Sequence, residues 1–361
     1  MLKVPKLACA EGFSGHHIMN VLIANAAGYG NLGDDSIRDA LVGTIEQLYP
    51  TIKIVCTHPP PEKGLVEEAD LIVVGGGGLL YDSDFANVVY YMSYLEWAQE
   101  FKKPNIALGV GVQGIFTEKG REYYQKVLNK TDLVSTRDQE SRDILINQVG
   151  ISTPIHVCAD LAFLLNPLVT NNYRREEDRP ILGICVRDFH PEFSPRERYI
   201  NSIREALKRI KDEFKLVFFI FSKDDHKLNM RLHSEFKNSN CFIYDYREGW
   251  TPQKFLPLIR QCDLMLCTRY HAFIFSILSE APALPIIELG GKNRWLAYLI
   301  NHTLYSCLMD SMTAEGLLKK LNEVWSDREI IKANFVKWKP ELQRRAYRNV
   351  ELLDSFITQS I

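Results

Sequence analysis

Thr268, Arg269 and His271 lie between two apolar runs, DLMLC (263–267) and AFIFSILSE (272–280). The first run is apolar after its leading Asp263 and reads as a central strand. The second is apolar almost all round and reads as a buried helix. A fixed cation and a histidine therefore fall on the first turn of that helix, where free amides and the positive end of the helix dipole point outward. That combination is an anion-binding site. Arg187 closes a second run, ILGICV, and Lys292 follows a third, ALPIIEL, after Gly290-Gly291. With Arg269 and Thr268 they are the candidates for gripping an anionic ligand. His271 is the candidate proton carrier, because histidine titrates near neutrality. The bland alternatives are a salt bridge of Arg187 with neighbouring Asp188, a local carboxylate for Arg269, and a capping role for His271. In FSKDDHK, Ser222, Lys223 and Asp224 occupy a corresponding turn, where capping by Ser222 or Asp224 is expected.

The amino-terminal half carries glycine loops instead of cations. Gly28-Tyr29-Gly30-Asn31-Leu32-Gly33 follows the strand-like NVLIAN and opens a helical segment, formally matching G-x-G-x-x-G. Asp34 and Asp35 at the helix start would repel a pyrophosphate, and the second strand ends Val55-Cys56-Thr57-His58 without an acid to hold a ribose. Dinucleotide binding is therefore disfavoured. Asn31 and Asp34 suit the hydroxyls of a sugar, with helix capping by Asp34 or Asp35 as the plain alternative. Gly75–Gly78, after the strand DLIVV, is expected to bring the backbone close to a ligand, with Gly76 and Gly77 facing it, since a purely structural sharp turn would rarely need four glycines. Gln113, in GVGVQG, ends another strand at the same rim, and Asp82 and Asp84 are weaker candidates.

The elements that must position these residues are apolar runs alternating with amphipathic segments along the whole chain, the pattern of parallel sheets covered on both faces. The expected fold class is α/β, with two doubly wound Rossmann-like domains facing a cleft in a GT-B-like arrangement. Residues 1–19 read as an amino-terminal extension, 20–168 as the first domain, 166–180 as a polar linker, and 180–361 as the second domain with terminal helices. Ligands of such folds sit outside the carboxyl ends of the strands. The 361 residues carry 43 Lys+Arg against 45 Asp+Glu, a balance that argues against a nucleic-acid partner. No run is long enough to span a bilayer, and the first residues make no secretory signal. The eight cysteines form no C-x-x-C pair and read as core residues of a cytoplasmic protein, with no metal site expected.

The motifs GYGNLGDD, DLIVVGGGGLL, GVGVQG, TRDQES, CADLAF, ICVRD and CTRYHAFIFSILSEAPALPII, in this order, resemble the polysaccharide pyruvyltransferase family over residues 20–295. The resemblance implies phosphoenolpyruvate as donor and co-substrate, with no further cofactor. It implies a pyruvate ketal joining two hydroxyls of a hexose such as galactose, mannose or N-acetylmannosamine. The acceptor would be part of a polysaccharide, glycolipid or precursor, free or lipid-linked, with at most peripheral membrane contact. Arg269 and His271 of the R-x-H motif, and an arginine in the position of Arg187, are implicated in the reaction, and the amino-terminal glycine loops face the acceptor. Thr268 departs from the small Ser or Ala more usual ahead of the arginine. A GT-B glycosyltransferase using a nucleotide sugar and a non-catalytic carbohydrate-binding protein are the alternatives.

Overall fold

The computed structural model describes residues 18–168, 179–190, 192, 195–237, 241–288 and 291–360. The expected extension, up to residue 17, and residues 169–178 of the expected linker lie outside the described residues. The first half contains β1 (Asn20–Ala24), α1 (Leu32–Leu48), β2 (Lys53–Thr57), α2 (Lys63–Glu68), β3 (Leu71–Tyr81), α3 (Phe85–Glu100), β4 (Asn105–Gly114), α4 (Glu118–Leu128), β5 (Leu133–Thr136), α5 (Gln139–Ile144) and β6 (Ile155–Val157). The second contains β7 (Ile181–Cys185), α6 (Arg196–Ile210), β8 (Lys215–Ile220), α7 (His226–Phe236), β9 (Cys241–Asp245), α8 (Pro252–Ile259), β10 (Leu264–Cys267), α9 (Tyr270–Ser279), β11 (Ala283–Ile287), α10 (Lys292–Leu299), β12 (Cys307–Leu308), α11 (Ala314–Ser326) and α12 (Arg328–Ser360).

The strands form two parallel six-stranded sheets, ordered β2-β1-β3-β4-β5-β6 and β12-β11-β10-β7-β8-β9. Helices cover both faces, so the central strands β7, β10 and β11 are buried at every residue, while edge strands β2 and β9 are partly open. Each sheet reverses its strand order once, between β1 and β3 in the first and between β7 and β10 in the second. A crevice opens at such a reversal, beyond the carboxyl ends of the strands. The two sheets turn these ends toward one another.

Backbone bonds clasp the two halves beside the crevice. Leu32 N donates to Phe221 O at 2.7 Å and Lys223 N to Gly30 O at 2.9 Å, with an antiparallel bridge between Asn31 and Ser222. The final helix α12 returns to the first half: buried Asn349 donates to Ala159 O at 3.2 Å and accepts from Ser135 Oγ at 2.8 Å. One apolar core runs continuously from Val21 and Ile37 of the first half to Phe221 and Phe275 of the second. Among the described residues, no helix is long and apolar enough to cross a membrane.

The four-glycine segment differs from expectation. β3 does not end at Val74 but runs through the glycines to Tyr81, with its register against β4 shifting after Gly77. A Cβ on Gly75 would fall 2.2 Å from Leu108 O, and one on Gly76 2.2 Å from Ile37 Cγ2. The glycines let β4 and α1 approach β3 more closely than any side chain permits.

Candidate active site at the interdomain cleft

A cleft of about 550 Å³ lies between the facing strand ends. Asn31, Asp34, Gln113, Arg187, Thr268, Arg269, His271 and Lys292 line it. Gly76 and Gly77 do not: they face Ile37 and the interior, and Gly78 is the glycine at the cleft wall. They pack on α1 instead of reaching the acceptor side expected of them, because both take positive φ, +50° and +85°, which turns the two consecutive residues toward Ile37.

The cationic side is built on the second sheet. Arg269 is the N-cap residue of α9, with no side-chain cap on the helix, and Gly291 stands in the same way before α10. Both helix starts therefore offer free amides to the cleft. Fully buried Asp225 grips Arg269 at two points, Nε to Oδ2 and Nη2 to Oδ1, both 2.7 Å. This fork fixes the guanidinium and leaves Nη1 for a ligand. Burial pushes the Asp225 carboxyl up, against the pull of Arg269. Arg187 bonds Glu288 at 3.0 Å and stacks over the Phe189 ring, while neighbouring Asp188 pairs with Arg196. Thr268 is held differently: its hydroxyl bonds Tyr199 Oη at 2.7 Å, so its side chain supports the turn.

Lys292 reaches across the cleft from the start of α10 to the first sheet. A Cβ on Gly78 would lie 2.5 Å from its Nζ. Burial, then repulsion from Arg137, pulls this ammonium down to about 7, with Asp34 acting in the opposite direction. Asn31 caps α1 by accepting from Gly33 N and also donates to Asp34 Oδ2 at 2.7 Å, while Asp35 accepts from Gly28 N. Asp34 is thus left free of capping and opens on the cleft. Burial raises its carboxyl against the attraction of His271 and Lys292.

His271 is buried, and its ring lies against the α-carbon of Gly33 from the opposite domain. Its Nε2 stands 3.7 Å from Asp160 Oδ1, an electrostatic contact longer than a hydrogen bond, and has no hydrogen-bond partner among the described residues. Asp160 is fully buried and also meets Arg137 Nη1 at 3.3 Å. Burial opposes its charge, but His271 and Arg137 on either side hold the carboxyl down to about 2. Arg137 lies over the Tyr270 ring with Nη2 unpartnered among the described residues. Arg137, Asp160 and Asp225 were not singled out from the sequence. Arg137 directly follows β5 and Asp160 closely follows β6, so the strand-end rule applied to TRDQES and CADLAF would have found both.

The first domain supplies a less cationic limb of the cleft, with Tyr81, Tyr91, Gln113, Phe116, Glu140 and Gln148 on its walls. Gln113 Nε2 donates to Gly78 O, which fixes the amide at the junction of this limb with the cationic end. The arrangement can hold a small polyanion at one end, a neutral polar molecule at the other, and a histidine with a buried carboxylate between them.

A family model described as polysaccharide pyruvyl transferase matches residues 31–288. No curated protein matches the chain in sequence. Among solved structures, it is similar to a Listeria monocytogenes protein described as a UDP-N-acetylglucosamine 2-epimerase, at 11% identity and TM-score 0.63 over 95% of this chain and 98% of that one. It is similar to the Neisseria meningitidis UDP-GlcNAc 2-epimerase bound to UDP-GlcNAc, at 12% identity and TM-score 0.61, covering 93% and 100%. A Burkholderia multivorans α,α-trehalose 6-phosphate synthase gives 10% identity and TM-score 0.58, covering 96% and 100%. At these identities the likeness shows the fold: two Rossmann-like domains in the GT-B arrangement.

Proposed function

The chain belongs to the polysaccharide pyruvyl transferase family, and from that premise we propose that it moves pyruvate from phosphoenolpyruvate onto two hydroxyls of one sugar, closing a cyclic ketal and releasing phosphate. The observation that carries this reading is the convergence of Arg187, Arg269 and Lys292 with His271 on one cleft. Phosphoenolpyruvate is a small molecule with a carboxylate and a phosphate, and the cations and the open helix starts of α9 and α10 suit both groups. Its use as donor puts the reaction in the cytoplasm, where that metabolite is formed.

His271 gives a proton to the methylene carbon, and positive charge develops at C2, shared with its oxygen. The first sugar hydroxyl adds at C2 and passes its proton to Asp34, whose carboxyl is raised by burial. The C2–O bond to phosphorus breaks with its electron pair leaving on phosphate, stabilised by Arg269 and Lys292. The second hydroxyl adds at C2, and its proton leaves with the phosphate. The proton held by Asp34 then returns through solvent to His271, and phosphoenolpyruvate plus a diol gives a ketal plus inorganic phosphate.

The test is acceptor-dependent phosphate release from phosphoenolpyruvate across a panel of glycosides. Release with at least one glycoside is expected. No release with any, together with thermal stabilisation by nucleotide sugars and none by phosphoenolpyruvate, would turn the assignment to a glycosyltransferase.

A further inference from the structure

Phe116 is 75% exposed, although it stands on the wall of a polar cleft. A loop phenylalanine free to move would turn its ring inward, and three features prevent this. Buried Asp82 accepts from Phe116 N at 2.8 Å, from Thr117 N at 2.7 Å and from Thr117 Oγ1 at 2.6 Å. Arg121 Nη1 donates to Phe116 O at 3.0 Å. The ring itself rests on Gly114, which has φ +133°; a Cβ there would fall 2.4 Å from Phe116 Cζ. The backbone on both sides of the ring and the surface beneath it are therefore fixed, and one aromatic face is held open to the cleft.

Beyond the ring, the same limb carries Gln113, Glu140 and Gln148, all exposed, with Gln148 in a one-turn π-helix that continues α5. An exposed aromatic face beside amide and carboxylate groups matches a pyranose. The polarised C–H bonds on one face of the sugar meet the negative face of the ring, and its hydroxyls meet oxygen acceptors. Glu140 disfavours an anion here, whereas the cationic end of the cleft favours one. We propose that the limb between Phe116 and Gln148 is a saccharide subsite, with the Phe116 ring as the platform on which a neutral sugar of the acceptor stacks. The assignment rests on the pyruvyl-transfer reading for its acceptor but not for its sugar-binding chemistry.

The two are separated by measuring binding and turnover independently. Saturation-transfer NMR with the methyl glycosides of galactose, mannose and N-acetylmannosamine reads binding without catalysis. At least one glycoside should bind the intact chain, Phe116→Ala should weaken it tenfold or more, and Phe116→Trp should restore it to within about threefold. In the phosphate-release assay, Phe116→Ala should raise the acceptor KM by the same factor and leave the phosphoenolpyruvate KM and the thermal midpoint unchanged. Binding of none of the three glycosides, or equal binding by Phe116→Ala, overturns the subsite. Binding that responds to Phe116 without any phosphate release overturns the pyruvyl-transfer reading and leaves the subsite standing.

Discussion

The imidazole of His271 stands so close over the α-carbon of Gly33 that a Cβ at position 33 would lie 2.0 Å from Nδ1. The two residues belong to opposite domains, each in the first turn of its helix, α1 and α9. The third glycine of the G-x-G-x-x-G sequence thus serves a purpose unrelated to a dinucleotide: it makes room for a histidine from across the cleft. The facing of the two domains and the placement of His271 are one geometric fact.

Gly33→Ala tests this directly. The new methyl group must push the ring or the domain aside, and a displacement near 1 Å at a reacting group costs about 100-fold in rate. We expect kcat/KM for acceptor-dependent phosphate release to fall by at least that factor, with cooperative thermal unfolding retained. Gly43→Ala on the same helix is the control, since a Cβ there meets nothing within 4 Å. It should raise stability by about 0.5–1 kcal/mol and leave activity intact. Full activity in Gly33→Ala would remove the contact from the argument.

Asp225→Asn should separate the orientation of Arg269 from its charge. The amide keeps the shape of the carboxylate but turns a donor toward a guanidinium already gripped at two points, 2.7 Å each. Affinity for phosphoenolpyruvate should drop by about tenfold, roughly 1.4 kcal/mol, with kcat at saturation much less affected. Arg269→Lys should lose at least as much, because a point charge cannot reproduce the fork. Calorimetric titration reads both, and unchanged affinity in Asp225→Asn would show that the fork has no part in holding the donor.

Arg269, His271, Arg187 and Lys292 were legible in the sequence because an apolar strand ending in a charged residue leaves that charge only one place to go, the carboxyl rim of the sheet. The two-sheet architecture was legible for the same reason, through runs such as ILGICV and DLMLC. Gly76 and Gly77 misled because glycine gives the same local signal for close approach to a ligand as for close packing inside the protein, and only their neighbours Ile37 and Leu161 decide between them. Asp225 was hidden by its burial: an acid in a loop reads as a helix cap until its partner, Arg269, arrives from distant sequence. Lys292 was expected to lie with the other cations of its own domain, and its reach to Gly78 depends on how the domains face each other, which no local pattern encodes.

Lys292 predicts a proton linkage. Its ammonium, held down to about 7, is largely neutral above neutrality in the ligand-free chain. An anion bound beside it favours the charged form, so binding phosphoenolpyruvate must take up a proton, and affinity must fall as pH rises through that value. Titration calorimetry at about pH 8 in buffers of different ionisation enthalpy measures the uptake. Lys292→Met should abolish this component and weaken binding about tenfold or more. Identical proton uptake in the variant would assign the linkage to another group.

Asp160→Asn addresses both stability and rate. The Asp160 carboxyl falls from the ordinary 3.8 to about 2 in the folded chain, so its stabilisation is fully present above 3.8 and is lost as pH falls through about 2. The difference corresponds to about 2 kcal/mol. Thermal unfolding followed from neutrality to acid should show the intact chain losing that amount across this window. The variant should begin about 2 kcal/mol less stable and show a flatter acid limb. At neutral pH the carboxylate is ionised throughout, so it contributes no limb to the pH–rate profile, and its effect must run through His271, whose Nε2 it faces at 3.7 Å. Since Asp160 does not line the cleft, affinity for phosphoenolpyruvate should change by no more than about threefold, while kcat falls by roughly 100-fold or more, as when a buried carboxylate no longer orients a proton-carrying histidine. A variant that loses stability but keeps kcat would make Asp160 the counter-ion of Arg137 alone, and the proton carrier would then have to hold its orientation from Gly33 and the first turn of α9.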